Sequence, residues 1–152
     1  MLVLGIRVDP QKTRYALLDY DGNNFVLLNA DAESKLSYPA NLSESEEKVE
    51  WLYKELERVL HENQAIAKVC IKTNEYTQSD SKAKRESAYL EGAILLFCKQ
   101  KNIPVTVKIY ASLATRSADV KSHAEQRVGR TTKYWDVKMA DAVIAAWSGA
   151  RS

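Results

Sequence analysis

The sequence predicts an α/β fold, a mixed five-stranded sheet covered by helices in the order βββαβαβα. Three observations point there. The first thirty residues hold three short β-type runs separated by turn signals, which predicts an antiparallel meander. Beyond residue 42, amphipathic helical stretches alternate with short buried-type strands, which predicts right-handed parallel crossovers. The 152 residues suffice for one domain, 1–152, with a real core, and not for two.

Each element has its own signal. Leu2 to Val8 is a short apolar run with β-branched members, read as a central strand. Arg14 to Asp19 is the second strand, Asp21-Gly22 a tight turn, and Phe25 to Asn29 the third strand. Asp31 to Leu42 is polar, contains Pro39 and reads as a loop. Ser43 with Glu46 forms a capping-box pattern, and Val49, Leu52, Tyr53, Leu56, Val59 and Leu60 repeat at helical spacing. Together they predict a helix over 43–63. Ala67 to Ile71 is a buried-type strand, and Thr73 to Ser81 lacks any apolar period and reads as a loop. Lys82 to Lys101 predicts a second helix, with Ala88, Leu95 and Leu96 among its apolar members and Gly92 placed for close packing on the sheet. Pro104 opens a fifth strand, Val105 to Tyr110. Ala111 to Arg116 predicts a short helix, and Ser117 to Thr132 a mobile polar loop. Tyr134 to Ser148 predicts a last helix that packs Val137, Ala140, Ile144 and Trp147 on one face.

Composition narrows the function classes. Hydrophobic residues make up 45% and charged residues 28%, which reads as a folded chain rather than a disordered one. The net charge of +2 is too small to argue for nucleic acid alone. Its distribution says more. Glu44 to Glu57 holds six Glu against two Lys, while Arg116 to Lys138 holds six Lys or Arg against three acids. Cys70 and Cys98 each lie in apolar stretches, read as reduced core thiols in a cytoplasmic setting. No Cys or His spacing suggests zinc, and His61 and His123 are isolated. The first apolar run is broken at Arg7, so no secretory leader is expected, and no stretch approaches membrane-spanning length. A Gly-rich phosphate loop, a nucleophile elbow and a Cys–His dyad pattern are all missing.

Three segments resemble the ribonuclease-H-like superfamily, and within it the RuvC-type Holliday-junction resolvases. Leu2-Val3-Leu4-Gly5-Ile6-Arg7-Val8-Asp9-Pro10 is similar to the family's opening strand, where an apolar run ends in Gly-Ile-Asp; Arg7 takes the Asp position. Ala67-Lys68-Val69-Cys70-Ile71-Lys72 resembles the strand that ends in Glu, with Lys72 in its place. Ala140-Asp141-Ala142 resembles the Ala-Asp-Ala of the final helix, where a second acid stands three positions earlier; here that residue is Lys138. The resemblance implies a ribonuclease-H-like sheet whose first strand neighbours the strand ending at Lys72, with a ligand site at their ends. It also implies metal-dependent nuclease chemistry and dimers, although no dimer face is visible in the sequence. Two-metal phosphodiester hydrolysis needs several converging carboxylates as ligands. Three of the four positions are cationic, so a degenerate site without a cofactor is expected, with Asp141 paired to Arg7 or Lys72.

The residues leave three functional readings. The leading one is a catalytically degenerate protein that binds nucleic acid or a nucleic-acid-processing partner. Arg7, Lys72 and Lys138 would form a cationic floor, flanked by Lys82, Lys84 and Arg85 at a helix start. Arg116, Lys121, Arg127, Arg130 and Lys133 would follow along the late loop. Tyr76 and Tyr134 would offer stacking surfaces. The second reading is an active Mg²⁺-dependent nuclease with a shifted site built on Asp9, Glu75, Asp136 and Asp141. The third is a protein-interaction subunit that uses the acidic helix without touching nucleic acid. The sequence leaves enzyme activity open and leans against it.

Overall fold

Alternation along the first strand decides the layering. β1 (Leu2–Arg7) turns Leu4 and Ile6 to one face of the sheet and Val3, Gly5 and Arg7 to the other. In the computed structural model, which describes residues 1–152, the meander continues through β2 (Lys12–Tyr20), β3 (Phe25–Leu27) and β4 (Lys35–Ser37). Then come α1 (Ser45–Glu62), β5 (Ile66–Lys72), α2 (Lys82–Gln100), β6 (Val105–Lys108) and a 3-10 turn at Tyr110–Leu113. Two helices, α3 (Val120–Arg127) and α4 (Val137–Arg151), close the chain. The strand order is β3-β2-β1-β5-β6, with β4 also pairing β2. β1 runs antiparallel to β2 and parallel to β5, and β5 is parallel to β6.

Two cores follow from that alternation. On one face, Leu4, Ile6, Tyr15, Leu17, Val69 and Ile71 meet the buried stripes of α1 and α2. On the other, Val3, Ala16 and Leu18 meet α3 and α4. α4 is sandwiched between the sheet and α3 and is buried nearly all round, from Met139 to Ala146. The sequence reading of one packed face on this helix is therefore corrected, and Val137 is in fact exposed.

Other expectations also change. The sheet has six strands, because β4 lies in the stretch read as a loop; it is three residues long with only Leu36 buried, too short for a period-2 signal. The late segment read as a mobile loop contains α3, whose only buried residues, Val120 and Ala124, stand one turn apart in a polar sequence. The capping partner of Glu44's backbone N–H is Glu47, at 3.1 Å, rather than the Ser43–Glu46 pair. In α2 the buried stripe is Leu90, Ala93, Ile94, Phe97 and Cys98, while Ala88, Leu95 and Leu96 face solvent. Gly92 faces open space and makes no close approach.

Gly5 makes that approach instead. A Cβ placed on it would overlap the backbone carbonyl of Ala142 and the amide of Ala146, so β1 and α4 touch backbone to backbone here. No helix is long and apolar enough to cross a membrane. Gly5→Ala must push α4 off the sheet and is expected to cost at least about 1–3 kcal/mol, the usual range for overpacking. Urea denaturation checks this; an unchanged midpoint would mean the helix–sheet distance is not set by Gly5.

Candidate functional site

The parallel register of β1 and β5 places Arg7 directly beside Lys72, as the resemblance implied. Both side chains turn toward α4, where the helix presents Asp141 one turn after Val137. Arg7 Nε donates to Asp141 Oδ2 at 3.0 Å, and Tyr110 Oη donates to Oδ1 at 2.7 Å. Asp141 is 1% exposed, so its carboxylate has exchanged water for these two donors. Burial pushes its pKa above the ordinary aspartate value, against the pull of Tyr110, Arg7 and Lys72. Burial, with the Asp141 carboxylate accepting its hydrogen bond, raises the Tyr110 phenol strongly and keeps it a donor.

Lys72 is 1% exposed and is held three ways. Its ammonium pairs with Glu75 Oε2 at 3.1 Å, donates to the Thr73 carbonyl, and sits 3.9 Å from the centre of the Tyr110 ring. Burial first, and then the Arg7 guanidinium, draws its pKa below the ordinary lysine value. Glu75 also accepts from the Tyr110 backbone N–H at 3.1 Å, which ties the loop after β5 to the 3-10 turn after β6.

Two more pairs complete the edge. Arg14, opposite Arg7 in the β1–β2 register, bonds Asp136 at 2.7 Å. Asp136 also caps α4 by accepting from Met139 N at 2.8 Å. Lys138 pairs with Asp9, which in turn accepts from the backbone of Gln11 and Lys12. These hydrogen bonds outweigh burial and hold the Asp9 carboxyl below its ordinary pKa. Asp9, Glu75, Asp136 and Asp141 are thus each tied to a different cation. No three carboxylate, His or Cys side chains converge in a geometry that could hold a metal ion. A divalent ion does not fit this donor set, since a guanidinium and an ammonium stand where anionic oxygens would have to be.

Three contributors escaped the sequence reading. Glu91 on α2 bonds the Thr73 hydroxyl at 2.9 Å, and burial raises its pKa although Arg7 and Lys72 lie near enough to pull it down. Its signal was an acid flanked by Leu90 and Ala93 on the helix face that the sheet buries. Tyr110 and Arg14 are the others; only the register of the sheet brings them to this edge.

The remaining basic residues divide into committed and open ones. Lys84 curls back onto Thr77 and Ser79, and Arg85 grips Asp80, so the two stiffen the loop after β5. That internal use accounts for cations at the start of α2. Arg116 pairs with Asp119 and Arg130 with Glu125. Arg127 donates to the Leu113 and Ala114 carbonyls and lies over the Trp147 ring. Lys82, Lys121 and Lys133 are exposed with no ion-pair partner. Tyr76, 80% exposed, stands on the stiffened loop, whereas Tyr134 has Lys35 over its ring.

Asp141→Ala leaves Arg7 buried without its counter-ion, and a loss of about 3 kcal/mol is expected, as for other broken buried pairs. Thermal melts showing no loss would mean that Asp141 is solvated. Lys72→Met addresses the sign of the second pair. A depressed lysine pKa contributes stability that is present above the unfolded value and lost as pH falls through the folded one. Lys72 therefore costs most near neutrality. Relative to wild type, Lys72→Met should be most favourable at pH 7 and lose that advantage as pH rises toward the ordinary lysine pKa, 10.5. Denaturation midpoints of both proteins across this window check it, and a constant difference would contradict it.

The sequence matches no protein-family model, and no curated protein matches it either. Solved structures do match. RuvC of Thermus thermophilus in complex with a Holliday junction substrate superposes with a TM-score of 0.77 at 16% identity, over 97% of this chain and 92% of that one. The yeast mitochondrial Holliday junction resolvase gives 0.60 at 16% identity, over 98% and 77%. The Fowlpox virus resolvase with Holliday junction DNA gives 0.54 at 15% identity, over 97% and 95%. The chain therefore has the ribonuclease-H-like fold of the RuvC-type Holliday junction resolvases.

Proposed function

We propose that this chain is a non-hydrolytic RuvC-fold protein that binds nucleic acid, alone or with a nucleic-acid-processing partner. The observation that carries the reading is the replacement of a carboxylate cluster by four separate ion pairs at the strand ends. An edge balanced in this way has no ligand set for activating water with a divalent cation. It also lacks the concentrated negative charge that a bare carboxylate cluster would turn toward a phosphate backbone.

Backbone contact falls to the exposed cations rather than to a floor of Arg7 and Lys72, both of which point inward. Lys82 opens α2, which packs on one face of the sheet, and Lys133, beside Ala30 to Glu33, precedes α4, which packs on the other. Lys138, partly exposed, pairs with Asp9 just beyond the end of β1. Tyr76 projects from a loop stiffened by Lys84 and Arg85, which suits an aromatic platform for an unstacked base. The Thermus and Fowlpox structures were solved with Holliday junction DNA, which makes branched DNA the first ligand to test. The two buried free thiols, with Cys98 pushed up to about 11 by burial, suit a reducing cytoplasmic setting. A homodimer is what the family resemblance implies. The shifted-site nuclease is not favoured, because its four acids are divided among four cations.

With Mg²⁺ or Mn²⁺ present, the protein is expected to bind single strands, duplexes or four-way junctions and leave them uncut. Affinity should fall with salt, and Lys82→Ala with Lys133→Ala should shallow the log–log slope by about 0.7–0.9 per lost phosphate contact. Filter binding and gel assays read both. Absence of binding at low salt would remove the proposal. Cleavage abolished by Asp141→Asn or Glu75→Gln, with the fold intact, would replace it with an enzyme.

A further inference from the structure

α1 and α2 lie side by side on the sheet, joined by Lys48 to Glu86, by Tyr53 to Gln100 and Phe97, and by Glu57 to Lys101. Between them runs a groove of ≈620 Å³ lined by Glu46, Val49, Glu50, Tyr53 and Tyr89, with Lys54 and Glu57 at its margin. Its floor is apolar. Val49 and Tyr53 are half-buried, and Tyr89 is 49% exposed on the side of α2 that also carries exposed Leu96 two turns on. Its rim is acidic. Glu50 has only the weak i,i+4 partner Lys54 at 3.6 Å, Glu57 reaches Lys101 at 3.4 Å, and Glu46 has no cation. Helix stability accounts for Glu46 in the first turn of α1 and for Glu50 paired with Lys54 in the favourable i,i+4 order, and Glu57 bridges to Lys101 of α2. It does not explain the aromatic and aliphatic surface left open between them.

We propose that this groove docks a basic amphipathic segment of a protein partner. Apolar side chains at i and i+3 or i+4 would enter between Val49, Tyr53 and Tyr89, and flanking Lys or Arg would meet Glu46 and Glu50. Charge complementarity selects this occupant. A second copy docked symmetrically would set the two acidic rims against each other, and nucleic acid would be repelled. The groove belongs to the outer helix layer, whereas the paired edge lies at the strand ends, so this surface and the proposed nucleic-acid contact are separate.

The probe is a synthetic helical peptide of Leu and Lys at amphipathic spacing, compared with its Leu and Glu counterpart of equal length. Fluorescence anisotropy should show binding of the basic peptide only, weakening as salt rises. Tyr89→Ala should weaken it at least tenfold, and Glu46→Gln with Glu50→Gln should remove most of its salt dependence. Circular dichroism confirms that each variant folds, and Lys82→Ala with Lys133→Ala should leave peptide binding unchanged. Equal binding of both peptides, no binding, or indifference to Tyr89→Ala would overturn the proposal. So would a wild-type dimer, seen by sedimentation, that Tyr89→Ala dissociates, since the groove would then be a self-association face.

Discussion

A buried guanidinium and a buried carboxylate join β1 to α4, and the arrangement of the strand-end edge depends on keeping them together. Taking Arg7 and Asp141 out of water costs several kcal/mol per ion, which only close geometry and further hydrogen bonds offset. The structure supplies the close geometry and a second donor to Asp141, while Arg7 Nη1 is buried without a hydrogen-bond partner. Tyr110 fills the second oxygen of Asp141, and its ring faces the ammonium of Lys72. Lys72 in turn holds Glu75, which accepts from the Tyr110 amide. The pair thus fixes the relative position of β1, β5, the turn after β6 and α4. Gly5 makes this possible one step earlier on the same face, by letting the helix backbone reach the strand.

The consequence for chemistry is local neutrality. A hydrolytic metal site keeps several carboxylates close together and relies on cations from solution to relieve their repulsion. Here the relief is covalently part of the chain, and each acid has its own counter-ion: Asp141 with Arg7, Glu75 with Lys72, Asp136 with Arg14, Asp9 with Lys138. The acids are drawn apart toward separate partners, and no three of them gather as one set. These side-chain pairs tie the strand ends to α4, beside the two apolar cores that hold the sheet and helices together.

The surface divides by charge as well as by layer. The exposed lysines without an ion pair include Lys82 at the start of α2, Lys121 in α3 and Lys133 ahead of α4, while α1 is rich in Glu. Counterion release favours the first for a phosphate backbone, and repulsion keeps that backbone off the second. Under the two proposals above, a polyanion and a basic protein segment would approach different parts of this surface.

The order of strands and helices, the burial of both cysteines, and the nearness of Arg7, Lys72 and Asp141 were legible in the sequence. Each leaves a local trace: a hydrophobic period, an apolar run ending in a charge, or a short segment shared in kind with a known family. β4 and α3 left none, because three residues, or two buried positions in eight, carry too little periodicity. The stripe of α2 that faces the sheet was also undetermined, since Leu90, Ile94 and Phe97 compete with Leu95 and Leu96 on the opposite side. Tertiary structure alone decided the pairing of charges. Arg14 meets Asp136 across 122 positions, Lys138 meets Asp9 across 129, and Tyr110 reaches Asp141 through the β5–β6 register. Local sequence determines which residues are charged and which face of a strand they occupy. Only the packing of distant elements determines which charge lies within 3–4 Å of which, and at that range the Coulomb interaction is strong enough to matter.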